Sequence, residues 1–135
     1  MAIKRTKREL EIIKECKLFL SKNPKLKKRK LNKIKNLEKR LYYIKVWFIT
    51  ESMPIHNLKN FDKRCYYGAS CYHLDHICSI HEGFKNKIPP EIIGNIKNLR
   101  FIPAKENMDK GYKTVERVLK ETIKRGKNFN KKNNI

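Results

Sequence analysis

Apolar positions in the first fifty residues recur at helical spacing. Leu10, Ile13, Cys16 and Leu20, with Ile12 and Phe19 alongside, follow Thr6-Lys-Arg-Glu9, a hydroxyl and a carboxylate three residues apart in the form of a capping box. Ser21-Lys-Asn-Pro24 predicts a break. A second helix is predicted from about Lys27 to Thr50, with a seam at Ile34, Leu37, Leu41, Ile44 and Phe48 that steps by three and four. The two helices are expected to fold back as an antiparallel hairpin. Two heptads are marginal alone, so the seam is expected to pack on the rest of the chain or on a second copy.

Beyond Ser52-Met-Pro54 the pattern shortens. Ile55 to Lys63 reads as a connector, Cys65-Tyr66-Tyr67-Gly68 as a strand and turn, and Cys71 to Asp75 as a second short strand. Tyr66 and Tyr67 read as packing residues. Glu82 to Asn98 is expected to be a long loop holding one helical turn, Glu91 to Ile93, started by Pro89-Pro90. Leu99 to Ile102, bounded by Pro103, predicts a strand. Lys105 to Lys110 opens a helix that Gly111 interrupts. Thr114 to Arg125 continues helically with Val115, Val118, Leu119 and Ile123 inward, and the Lys/Asn-rich Gly126 to Ile135 reads as a frayed tail. The predicted fold class is α+β.

Charge changes the picture more than hydropathy does. A formal charge of +21 on 135 residues opposes compaction, so a polyanionic partner is implied, with nucleic acid favoured over a membrane surface. No apolar run approaches the roughly 18–20 residues that span a bilayer, and the N-terminus lacks a signal-peptide core. These features predict a soluble, intracellular protein without a membrane partner. Residues 1–50 hold 17 Lys and Arg against 4 Asp and Glu, and Lys25 to Lys35 carries seven cations and no acid. An ordinary exposed helix interleaves both signs, so Lys27, Lys28, Arg29, Lys30 and Lys33 are read as phosphate contacts rather than a merely solvated face. Cys16, Cys65, Cys71 and Cys78 form no CxxC pair and are read as reduced thiols; no structural zinc is expected.

Candidate chemistry concentrates in "YHLDHICSIHEGF", Tyr72 to Phe84, which holds His73, Asp75, His76 and His81. If the strand at Tyr72–His76 pairs with that at Leu99–Ile102, and the Lys105 helix packs across both, Asn107 is brought over Asp75 and His76. Asp and Asn offer hard oxygen ligands suited to Mg²⁺ or Mn²⁺. A histidine beside them is suited to take a proton from an attacking water near neutral pH. His81 sits where it can contact a scissile phosphate or a base. Arg100 can pair with phosphate or with an acid such as Glu106. His73 reads as structural and His56 as a surface residue.

The stretch "YHLDHICSIHEGF … IPPEIIGNIKNLRFIPAKENMDKG" resembles the HNH endonucleases, the ββα-metal nucleases of phages and mobile elements, over about Arg64 to Lys113. "HLDH" is also similar to the active-site stretch of phage Holliday-junction resolvases of the endonuclease VII kind. The resemblance implies that Asp75 and Asn107 hold one divalent ion, Mg²⁺ or Mn²⁺, and that His76 is the general base. It further implies that Asn98 ties the inter-strand loop and that Lys110 lies near DNA. Ser79 stands where many members have Pro, and the two CxxC pairs of a zinc-binding member are missing. The expected organisation is a basic helical hairpin at 1–52 that grips DNA or forms a homodimer, a connector at 53–63, a nuclease core at 64–125 and a tail at 126–135. The implied function is hydrolysis of DNA phosphodiesters, branched DNA included, in the cytoplasm of a bacterial or phage-infected cell. The alternative is a non-catalytic basic DNA-binding protein with a degenerate HNH fold.

Overall fold

Thr6 opens helix α1, Lys7–Lys22, through both halves of the capping box: its hydroxyl accepts from Glu9 N–H at 3.1 Å and Glu9 accepts from Thr6 N–H at 3.0 Å. In the computed structural model the described residues are 4–27, 29–65, 68 and 70–134, Lys27 by its backbone alone. After the break comes a single turn, α2 at Pro24–Lys27, then a 3₁₀ turn at Lys30–Lys33. The long helix α3 spans Leu37–Ser52, so the expectation of a helix from Lys27 is corrected. The reason is local. Asn36 accepts from Lys39 N–H at 3.0 Å and starts the helix afresh, while Leu26 and Leu31 turn inward and Ile34 stays in the connection.

That restart also overturns the antiparallel hairpin. Arg8 meets Glu38 at 3.2 Å, Glu15 meets Lys45 at 3.4 Å, and the rings of Phe19 and Phe48 lie 5.3 Å apart. Start faces start and end faces end, so α1 and α3 run parallel, with residues 23–36 carrying the chain back. Ile12, Cys16, Leu26, Leu31, Leu37, Leu41 and Ile44 form the core between them. The seam is therefore filled from within the chain.

The other face of α3 organises the rest. Val46 is buried with Cys78, Ile80, Ile88 and Ile93, while Trp47 borders this cluster, the first one, and a third formed by Ile55, Leu74, Leu99 and Phe101. Strand β1, Tyr72–His76, pairs antiparallel with β2, Leu99–Pro103, in a register that sets Asp75 opposite Arg100 and His76 opposite Leu99. Between the strands lie α4 at Ile80–Lys85 and α5 at Pro90–Ile93. Only the second was expected. Ser79-x-x-Glu82 is the same type of start signal as Thr6-x-x-Glu9, and Ser79 Oγ accepts from Glu82 N–H at 3.1 Å.

Helix α6, Ala104–Lys110, packs on both strands and ends at Gly111, whose φ of +55° lies in the region that favours glycine. Helix α7 spans Glu116–Lys132, longer than predicted, because Gly126 is buried against Ile88 and Pro89 and Phe129 is half-buried. Val118, Leu119 and Ile123 face inward as expected, whereas Val115 precedes the helix and is 68% exposed. The fold is thus mixed helix and strand with a two-stranded antiparallel sheet.

The reduced-thiol expectation is overturned for one pair. Cys65 and Cys71 form a disulfide, their Cα atoms 5.2 Å apart, where the chain turns at Gly68. Cys16 and Cys78 remain free and buried. Arg64 bridges to Tyr72 in place of the strand expected at Cys65–Gly68, and Tyr66 and Tyr67 lie outside the described residues. No helix among the described residues is long and apolar enough to cross a membrane.

Candidate active site

The end of β1 puts Asp75 and His76 below the surface, 5% and 6% exposed. Helix α6 crosses above them. A cleft of about 220 Å³ is lined by Asp75, His76, His81, Asn107, Lys110 and Tyr112, so four of the sequence-selected site groups share it with His81. Asn98 lies beneath the cleft rather than in it. Fully buried, it accepts from Cys78 N–H at 2.8 Å and donates to the carbonyls of Cys78 and Ile93 at 3.0 and 2.8 Å. Its own carbonyl accepts from Ile77 N–H at 2.8 Å. This one side chain ties the chain before α4 to the chain after α5.

Two cations hold the Asp75 carboxylate. Lys110 Nζ lies 2.8 Å from Oδ1 and also donates to the His76 carbonyl at 2.7 Å; Arg100 Nε lies 2.8 Å from Oδ2. Arg100 thus pairs with Asp75 rather than with Glu106. Asn107 is engaged from the side, its amide nitrogen 3.3 Å from His73 Nδ1.

His76 is enclosed by α3. Its Nε2 lies 3.0 Å from Thr50 Oγ1, and its ring stands edge-on to Trp47 at 4.8 Å. Burial foremost, then the nearby charges of Lys110 and Arg29, pushes its pKa down to about 3, so the ring is neutral in this arrangement. His81 is half-buried across the cleft, with Nδ1 3.4 Å from Lys39 Nζ and its ring 5.2 Å from that of Tyr112. Ser79 anchors this wall, donating to the Tyr112 carbonyl at 3.0 Å.

Thr50, Trp47, Lys39 and Tyr112 were not singled out from sequence. Thr50 is fully buried at a helix position where periodicity alone reads as another core contact. Tyr112, just past Gly111, is 69% exposed; an exposed aromatic beside the Asn107–Lys110 stretch was a signal that could have been used.

The basic stretch is only partly outward-facing. Arg29 pairs with Glu51 at 3.0 Å and lies over the Trp47 ring at 3.6 Å, so it is braced against the fold rather than extended into solvent. Lys30 and Lys33 are exposed. Lys28 and the side chain of Lys27 lie outside the described residues.

Hard oxygen donors suit a small divalent ion in kind, and Asp75 and Asn107 supply a carboxylate and an amide to one cleft. Among the described residues no group of three or more His, Cys, Asp or Glu side chains gathers as a metal centre. Asp75 Oδ1 is already matched by the Lys110 ammonium, which must move for another cation to take its place. No protein-family model, curated protein or solved structure matches the chain, so the function rests on the chemistry of the cleft itself.

Proposed function

We propose that the chain is an HNH-type endonuclease that hydrolyses DNA phosphodiester bonds with one divalent ion. The observation that supports this most is the convergence of Asp75 and His76 from β1 with Asn107 and Lys110 from α6 on one cleft, over a sheet whose linking loop is tied by Asn98. A protein of charge +21 brings such a cleft to a polyanion readily.

Asp75 and the Asn107 amide oxygen would hold the ion, which supplies Lewis-acid stabilisation of the phosphate and the leaving oxygen when bound. His76, neutral and fixed through Nε2 by Thr50, leaves Nδ1 to accept the proton of a water that attacks phosphorus as the P–O3′ bond breaks. A ring so depressed is a weak base with the cleft empty. An anionic phosphate entering beside it offsets the Lys110 and Arg29 charges and raises its basicity by that part, while the larger effect of burial stays. Lys110, once released from Asp75, is placed to meet a phosphate oxygen. Tyr112 and His81 form the opposite wall, where a base or sugar can rest.

A second reading has its own support. A carboxylate held by two cations and a buried neutral histidine also suit a non-catalytic DNA-binding protein. Nicking of supercoiled DNA by wild type, His76→Ala and His81→Ala separates the two. The proposal expects His76→Ala to lose about 10²–10⁴-fold in rate with DNA affinity kept. A larger loss in His81→Ala would transfer the role of base to His81. Binding without any cleavage in Mg²⁺ or Mn²⁺ would leave the non-catalytic reading.

A further inference from the structure

A second cavity adjoins the cleft. It has a volume of about 250 Å³, and Trp47, Leu74 and Asn107 line both spaces. Arg29, Arg64 and His73 complete its polar wall, and no carboxylate lines it among the described residues.

Its cations are held firmly in place. Glu51, near the end of α3, accepts from Arg29 at 3.0 Å and from Arg64 at 3.2 Å, both on Oε1. The Arg29 and Arg64 side chains are 24% and 18% exposed, and Arg29 is braced on the Trp47 ring. The disulfide at Cys65 pins the residue next to Arg64. One carboxylate cannot neutralise two guanidiniums, and each carries five N–H donors in a rigid fork. The result is a pre-oriented, net positive cavity that shares Trp47, Leu74 and Asn107 with the cleft. That chemistry fits an oxyanion of phosphate geometry.

We infer that this cavity is a phosphate subsite, formed by Arg64, Arg29 and His73, which seats a phosphate next to the one in the Asp75–Asn107 cleft. The inference rests on the nucleic-acid reading of the cleft and extends it to a two-phosphate footprint on one strand. Asn107 is the partition, so a strand crossing α6 presents consecutive phosphates to the two spaces. His73 then positions Asn107 on one side and faces the strand on the other.

The test uses the full chain without metal, so that nothing is cut. Trp47, the only tryptophan in the sequence, lines both spaces and reports binding by its fluorescence. The dinucleotide dTpT, with one phosphodiester, is compared with dTpTpT, which has two. One added charge-assisted contact is expected to make dTpTpT bind about tenfold tighter in wild type. That gain should vanish in Arg64→Gln. His73→Gln, which leaves the Glu51 pairs intact, should reduce it and serves if Arg64→Gln fails to fold. Equal affinity of the two ligands in wild type overturns the inference, as does a full gain retained in either variant. A protein that keeps the Arg64-dependent gain yet never cleaves DNA with Mg²⁺ or Mn²⁺ loses the nuclease function and keeps this subsite.

Discussion

Asn98 and Lys110 illustrate how two polar side chains can carry opposite duties. Asn98 is buried with every side-chain hydrogen bond directed at backbone, so Asn98→Ala strands Cys78 N–H and two carbonyls. At about 1–3 kcal/mol for each buried group left unsatisfied, a loss of about 3 kcal/mol or more is expected in a urea unfolding series. A loss below about 1 kcal/mol would mean that water replaces the amide easily. Lys110 is different, because it neutralises Asp75 where a cation would bind. Lys110→Met should therefore bind Mn²⁺ about tenfold tighter by calorimetry, as removal of a competing charge requires. Unchanged affinity would show that the ammonium does not guard the seat. That Asp75, His76 and Asn107 would meet was legible from residue types and order, and the structure brings them with Lys110 to one cleft. Their partners were not. Nothing in the sequence announces that Lys110 spans Asp75 and the His76 carbonyl, because a lysine reaches different atoms with small changes in helix placement.

At the scale of elements, strong local signals translated well and competing ones did not. The capping box at Thr6, the strand pair and the stop at Gly111 stand where the pattern predicted them. The seam from Ile34 to Phe48 misled, because its spacing carries no information about Asn36 capping a fresh start. Parallel packing of α1 and α3 followed from that one cap. Helix α4 went unread although Ser79 and Glu82 are spaced as a helix start, since a six-residue helix offers too little periodicity. Its packing gives a sharp test. A Cβ at Gly83 would lie 2.5 Å from Tyr42 Oη and 2.6 Å from Ile93 Cγ1, between α3 and α5. Gly83→Ala should lower stability by about 1–3 kcal/mol through overpacking, seen as a reduced Tm. An unchanged Tm would show that α4 moves freely over α3.

Across the whole molecule, positive charge exceeds anything the fold requires. The +21 was legible at once; its division between structural and presented cations was not, because Glu51 gathers Lys25, Arg29 and Arg64 from segments distant in sequence. If the lysines of residues 27–33 meet phosphates, replacing Lys27, Lys28, Lys30 and Lys33 by Gln should lower the slope of log affinity against log salt by roughly two to three units. The single-turnover rate at saturating DNA should remain the same, and an unchanged slope would remove this stretch from the interface. The central claim is metal-dependent hydrolysis in the Asp75–Asn107 cleft. Its most direct measurement mixes DNA-bound, metal-free protein with Mn²⁺ and follows the nicking of supercoiled DNA in a single turnover. Wild type is expected to cut only after Mn²⁺ is added, with Asp75→Asn and Asn107→Ala inert though still bound. Cleavage in excess chelator, or full activity in Asp75→Asn, would contradict it.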